Sequence, residues 1–332
     1  MKTKTLSAIL LLALLLSSCG RTGETDQKKK YTASRLELFD TVILLTGYAE
    51  SEAAFRETAD GVFAELEELH RLYDAYNEYE GLCNICTINR NAGKESLSVD
   101  ERIMALLCFS EELAQVTAGR VDVTAGSVLR LWHEARENAR LPDVGKLTEA
   151  AKHRGFERLE MDTARQTLRL TDPETLLDVG AVAKGFALRQ VREMLPAGWL
   201  LNAGGNIYAS GEKPDGSLWT VGIQDPDGSA SVLIQKLPLR QGAVATSGDY
   251  QRYFTLDGTR YHHLIDLETL MPAGYWRSVT VLCDDPAVAD GLSTALFLME
   301  REEGEVLLER YHAAAWWVDG QGELFESENP AR

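Results

Sequence analysis

Three short stretches of the chain hold residue types whose spacing could do chemistry. In LLDVGAVAKGFALRQVREML, Asp178 precedes a turn through Gly180 and Gly185 that opens an expected helix carrying Lys184. The start of such a helix presents free backbone N–H groups, which together with a lysine can hold phosphate. The G-x-x-x-x-G-K-[ST] order of a P-loop is absent, and a plain turn with a solvated lysine fits the local pattern at least as well. In ADGLSTALFLME, Asp290 and Thr294 stand one helical turn apart on the same face. A carboxylate and a hydroxyl so placed can share a hard cation such as Mg2+, which takes oxygen ligands and keeps positions for water or substrate phosphate. The same spacing also suits an Asp290 that caps the helix with Thr294 bonding back to the backbone. In AVATSGDYQRYFTLDGTRYHHLIDLETLMPA, Ser247 and Asp249 are followed by His262, His263 and Asp266. A histidine near a strand end can be a base or proton shuttle near neutral pH. A Ser-His-Asp hydrolase is the rival reading, but there is no G-x-S-x-G elbow and Ser247-Gly248 reads as a turn.

The elements that must position these residues are mixed. Apolar residues Ala54, Val62, Leu66, Leu69 and Leu72 predict one amphipathic helix over Glu50 to Tyr79, and Ile103, Leu106, Leu107 and Leu113 predict a second from about Asp100 to Ala118. TLRLTD, TLLDVG, WLLNAGGNIYASG, LWTVGIQD and RSVTVLCD read as short strands closed by Gly, Asp or Pro. Helices are expected between them at Ala183 to Leu195 and Ala289 to His312. The class is α and β mixed, with no evident internal repeat.

At the other end of the chain, Lys2 and Lys4 precede an apolar run from Leu6 to Leu16 and then Leu16-Ser17-Ser18-Cys19. The run is shorter than the roughly 20 residues a spanning helix needs, so residues 1–18 read as a lipoprotein signal peptide. Cys19 would become the lipidated N-terminus, anchoring an extracytoplasmic protein to a bacterial cell membrane. Residues 19–30 read as a flexible tether with almost nothing apolar, leaving 31–332 as the folded part. The net charge of −17 argues against nucleic acid as a partner, and a protein so acidic needs a metal or a locally positive pocket if it is to handle phosphates. Cys83 and Cys86 form a lone C-x-x-C, while Cys108 and Cys283 are isolated, so a four-cysteine zinc site is not expected.

Taken in order, several segments resemble the ApbE-like family, the FAD:protein FMN transferases. The residues that carry the resemblance are FDTV from Phe39, LYDAYN ending at Asn77, TINRNAG from Thr87, GRVDVTAGSVLRLW from Gly119 and DVGAVAKGFA from Asp178. NAGGNI from Asn202, ATSGDYQRYF from Ala245, YHHLID from Tyr261 and ADGLSTAL from Ala289 continue it to about Tyr311.

The resemblance implies a single compact α+β domain, ApbE-like and T-fold-related, with two related sheet-and-helix layers around an FAD cleft. It implies that Tyr76 lies against the flavin, that Arg120, Val121, Asp122, Asp178 and Lys184 contact FAD, and that His263 is the FAD-proximal histidine and base. Magnesium would be held by the Ala181 carbonyl with Asp290 and Thr294. The activity implied is Mg-dependent transfer of FMN from FAD to a Thr or Ser of extracytoplasmic or membrane redox proteins, through a phosphoester bond, with release of AMP. An FAD pyrophosphatase and a non-enzymatic FAD-binding lipoprotein are the alternatives. Three departures stand out: Phe39-Asp40 replaces the usual Met-Gly, Asn206 stands where Asp is frequent, and Leu267 and Leu270 replace a Pro and a Gly after the histidine motif.

Overall fold

The structure, a computed structural model, describes residues 28–228 and 232–328. The expected signal peptide, Cys19 and the tether as far as residue 27 lie outside the described residues. The strand Lys29–Leu38 takes in Lys29 and Lys30, which the sequence assigned to the tether. They pair with Ala49 and Tyr48 of the strand Thr41–Ala49, which gives their backbone groups the partners a free tether lacks.

One antiparallel sheet of eight strands organises the chain. Its order is Lys29–Leu38, Thr41–Ala49, Leu200–Ala203, Asn206–Ser210, Gln241–Gly248, Ser278–Cys283, Ala314–Val318 and Leu324–Glu326. The period-2 alternation of side chains splits its apolar residues between two faces. Ile43, Leu45, Leu201, Ala203, Ala245, Val279, Val281 and Trp317 join the main core under the helices. Ile207, Val244, Leu282 and Trp316 point the other way and are covered by the hairpin of Trp219–Gln224 and Leu233–Leu239. The large sheet thus carries the helices on one face and a small hairpin on the other, within the α+β class that was expected.

The helices Glu52–Tyr73, Ala183–Val191 and Pro286–Phe297 pack on the first face. A separate cluster forms where the helix Gly126–Glu137 meets the hairpin of Tyr253–Leu256 and Thr259–His262, through Val128, Trp132, Phe254 and Tyr261.

Three elements differ from their sequence-based expectation because a side chain captures backbone groups. The first helix stops at Tyr73 and does not run on to Tyr79, because Asp74 Oδ1 accepts from the amides of Tyr76 and Asn77 at 2.7 and 3.0 Å. TLLDVG is not a strand. Asn89 takes both backbone groups of Leu177, donating to its oxygen at 2.9 Å and accepting from its nitrogen at 2.7 Å, where a neighbouring strand would have done so. The segment from Ala289 to His312 is two helices, Pro286–Phe297 and Arg301–Tyr311. Between them the carbonyls of Leu298 and Met299 accept from the side chains of Arg120 and Trp276. No described helix is long and apolar enough to cross a membrane.

Candidate active site

The residues singled out in the sequence converge. Tyr76, Arg120, Val121, Asp122, Asp178, Ala181, Lys184, His263, Asp290 and Thr294 all line one cleft of about 1020 Å³. Its walls are the helix pair Ala183–Val191 and Pro286–Phe297 on one side, and the helix Gly126–Glu137 with the hairpin that ends at His262 on the other.

The centre of the site is the crossing of those two helices. A Cβ on Gly185 would come within 2.3 Å of the Pro286 carbonyl oxygen and 2.4 Å of Asp290 Cβ, so only glycine lets them meet this closely. The contact lets Asp290 Oδ2 accept from the Gly185 amide at 2.7 Å. Asp290 does not cap its own helix, a task done by Asp285, which accepts from Ala287 and Val288. It caps the facing helix instead, where the positive end of the dipole favours a carboxylate.

Oxygens here lack donors. Gly185 is the third residue of its helix, so its amide has no intrahelical partner and Asp290 supplies one; the Ala181 carbonyl lies before Val182, the first acceptor of the helix, and no hydrogen bond reaches it among the described residues. Asp290 is 4% exposed, has no cationic partner among the described residues, and its second carboxylate oxygen accepts no hydrogen bond. Thr294 Oγ1 lies 3.2 Å from Ser247 Oγ and 3.5 Å from its own helix's Asp290 carbonyl, the longest bond in the cluster. A buried carboxylate with one hydrogen bond is costly unless a cation completes it. Among the described residues no three His, Cys, Asp or Glu side chains are grouped to hold a metal. The donor set here is instead a carboxylate, a hydroxyl and a carbonyl, which suits a hard oxygen-seeking ion such as Mg2+.

Lys184, beside this cluster, makes no ion pair or hydrogen bond among the described residues and lines the cleft. Tyr76 is presented by the Asp74 loop and is 56% exposed, an aromatic face open to a planar ligand. Burial pushes the Asp74 carboxyl up, but the donors Asn77, Tyr76 and Tyr79 outweigh it and hold it below its ordinary range. Asp178 accepts from the Gly180 amide and donates its own amide to Val123. The Arg120-Val121-Asp122 segment offers mainly backbone to a ligand. Arg120 is bidentate to Glu303, Val121 is buried, and Asp122 accepts from the Thr124 amide and hydroxyl.

The two histidines separate cleanly. His262 Nε2 donates to the Ala273 carbonyl at 2.9 Å and its Nδ1 accepts from the Leu264 amide, so both nitrogens are used inside the core. His263 donates from Nδ1 to the Arg252 carbonyl at 3.3 Å, which leaves Nε2 with a free lone pair. Burial, then the charges of Arg252, His262 and Lys184, push its pKa down to about 3. The imidazole is therefore expected to stay neutral from pH 7.5 to pH 5. NMR of the ring Cε1–H, assigned by comparison with His263→Gln, checks this; a titration step near the ordinary histidine value would refute it. The Ser-His-Asp rival fails on geometry. Ser247 Oγ bonds Ser293 and Thr294, Asp249 is held by Arg277 and Arg260, and Asp266 accepts from Glu268 and Thr269.

Residues 39–317 match the ApbE family. The chain belongs to that family. It is 29% identical over 320 residues to an FAD:protein FMN transferase of Treponema pallidum, covering 91% of this chain and 87% of the relative. A Vibrio cholerae protein of the same name is 31% identical over 254 residues, 73% of this chain and 75% of its own. Among solved structures, the ApbE protein of Thermotoga maritima superposes with a TM-score of 0.82 at 29% identity, covering 90% of this chain and 97% of that one. The apo flavinyl transferase ApbE of Pseudomonas stutzeri gives 0.76 at 26% identity, with 91% and 96% covered.

Three of the residues at which the sequence departs from the resemblance have a left-handed backbone. Phe39 and Asp40 have φ of 53° and 54°, and Leu270 has φ of 61°. The resemblance puts glycine at the positions of Asp40 and Leu270, so these side chains hold left-handed turns at the expense of strain. Leu270 is secured by its amide on the Asp266 carbonyl and by Trp132, whose indole donates to its oxygen. Asn206 is buried, and its amide nitrogen has no partner among the described residues. Sequence reasoning missed Phe39, His70, Trp132, His133, Arg136 and Arg252, which also line the cleft. Arg252 and Phe39 lie inside motifs already noted; His70 and Arg136 sit on helical faces with no local signal. Cys83, Cys86, Cys108 and Cys283 are free thiols, and burial pushes all four above their ordinary pKa.

Proposed function

We propose that the chain is a magnesium-dependent FAD:protein FMN transferase. The observation that carries it is a buried Asp290 carboxylate that has no counter-cation among the described residues, set beside an Ala181 carbonyl without a donor there, the Thr294 hydroxyl and a Lys184 without a partner there. That is a place for a cation and a phosphate together.

FAD would lie in the cleft with its flavin against Tyr76 and its diphosphate toward Lys184. A Thr or Ser hydroxyl of the acceptor protein attacks the FMN phosphorus, forming an O–P bond as the bond to the bridging oxygen breaks, and AMP leaves with that oxygen. His263 Nε2 holds the lone pair that takes the hydroxyl proton. An anionic diphosphate screens Lys184 and Arg252, two of the charges that depress His263, so its basicity rises when substrate is present. Lys184 stabilises charge on the phosphoryl oxygens, and Asp290 keeps the Ala183–Val191 helix end in register with them. Bound Mg2+, held by Asp290, Thr294 and the Ala181 carbonyl, would supply Lewis-acid neutralisation of the phosphoryl oxygens.

With Cys19 lipidated, the enzyme would work outside the cytoplasm on a bacterial membrane, on acceptors that are redox-complex subunits or extracytoplasmic electron-transfer proteins. The test uses the soluble chain from Lys28 onward, FAD, Mg2+ and a threonine-bearing acceptor domain, read by mass spectrometry. A gain of one FMN that is abolished by EDTA supports the transferase. FMN and AMP set free with every acceptor unmodified would make water the nucleophile and the enzyme a pyrophosphatase; intact bound FAD would make it a binder.

A further inference from the structure

Four lysine and arginine side chains line the cleft: Arg120, Arg136, Lys184 and Arg252. Two are committed elsewhere. Arg120 is bidentate to Glu303 and also donates to the Leu298 carbonyl, and Arg136 lies 2.9 Å from His133 Nδ1. Among the described residues Lys184 is unpaired, and Arg252 has a single side-chain partner, Asp40 Oδ2 at 3.5 Å, with the two side chains 46% and 79% exposed. An ion pair that long and that wet contributes little, so the guanidinium is available to a better anion.

The backbone of Arg252 places that guanidinium where an anion would need it. Its carbonyl accepts from the His263 amide at 3.1 Å and from His263 Nδ1 at 3.3 Å, so the residue that carries the charge also orients the imidazole. Asp40 sits in the left-handed turn with Phe39, whose amide donates to His70 Nδ1 at 3.2 Å and whose ring meets the His70 ring edge-on at 5.4 Å. A strained turn anchored in this way fixes Asp40 at the cleft rim without bringing it into firm contact with Arg252.

We propose that Arg252 is the second cationic contact for the substrate diphosphate, and that Asp40 is its resting partner, displaced when substrate enters. The inference rests on the FAD reading. A diphosphate carries a negative charge on each phosphoryl group. Lys184 is a point charge suited to one of them, and the planar Arg252 fork can meet the oxygens of the other. On this assignment the acid side of the cleft mouth is a placeholder: Asp40 keeps Arg252 from being drawn to other carboxylates when the site is empty.

The test is binding by calorimetry of two fragments, ADP, which has the diphosphate without the flavin, and riboflavin, which has the flavin without phosphate. Arg252→Gln keeps the backbone carbonyl that holds His263 and removes only the charge. It is expected to weaken ADP roughly tenfold or more and leave riboflavin unchanged. Asp40→Asn, which keeps a residue type tolerant of left-handed φ, is expected to tighten ADP a few-fold by freeing Arg252. Equal ADP affinity in Arg252→Gln and the unaltered chain, with FAD still bound, overturns the assignment while the FAD reading stands. A parallel loss of riboflavin binding also overturns it, since Arg252 would then be shaping the cleft. An unaltered chain that binds neither FAD nor ADP sinks both readings.

Discussion

Asp290→Asn is expected to lower FMN transfer by at least about a hundredfold while leaving the protein folded. The amide is nearly the same shape as the carboxylate, and its oxygen can still accept from the Gly185 amide, so the helix crossing persists. What changes is the other terminal atom, which becomes a nitrogen carrying two protons and points a donor where a cation would sit. Thr294 and the Ala181 carbonyl are neutral oxygens, so Asp290 supplies the only negative charge among the three groups assigned to the ion. Raising Mg2+ should recover little, because the loss is of charge as well as of affinity. The measurement is the rate of FMN incorporation against Mg2+ concentration, with the melting temperature as control. Full activity with unchanged magnesium dependence would remove Asp290 from the metal site and leave it as a cap for the facing helix.

Gly185→Ala should act on the fold and the site together. The added methyl carbon would lie 2.3 Å from the Pro286 oxygen and 2.4 Å from Asp290 Cβ, and the first of these is backbone that cannot rotate away. The helices Ala183–Val191 and Pro286–Phe297 would have to part. Both are embedded in the main core through Phe186, Leu188, Leu292 and Leu296, so parting them loosens packing on each side. Overpacking of this kind typically costs about 1–3 kcal/mol, and a contact with backbone belongs at or above the upper end. Separation would also lengthen the bond from Gly185 to Asp290, moving the carboxylate off its position. A clear drop in melting temperature is therefore expected together with weaker FAD binding. If the melting temperature holds and FAD binding is intact, the helices do not approach this closely in solution.

Much of the site was legible in the chain because each motif is local. DVGAVAKGFA supplies Asp178, Ala181, Lys184 and Gly185 within one short segment, and ADGLSTAL supplies Asp290 and Thr294 within another. The order of these motifs, matched to a family, assigned roles that the spacing of any one of them left open. The apolar periodicity likewise predicted the helices that become Glu52–Tyr73 and Glu101–Val116.

What the sequence by itself determined, then, is which residues could hold phosphate, cation and proton, and that they stand on short α and β elements of a chain too acidic to do so without a local exception. Only the tertiary structure decided how they combine. The Asp290 carboxylate caps the facing helix at the Gly185 amide and is thereby held beside the Ala181 turn, a relation across 105 positions that no local pattern encodes. The resemblance already pointed to His263 over its neighbour, but only the structure gives the physical reason: His262 is satisfied at both nitrogens by Ala273 and Leu264, and His263 by Arg252 at one only. Side chains that capture distant backbone groups, as Asn89 does at Leu177 and Asp74 at the end of the first helix, moved element boundaries for the same reason. Hydrogen-bond partners are set by what lies nearby in space, and the sequence alone gives only what lies nearby along the chain.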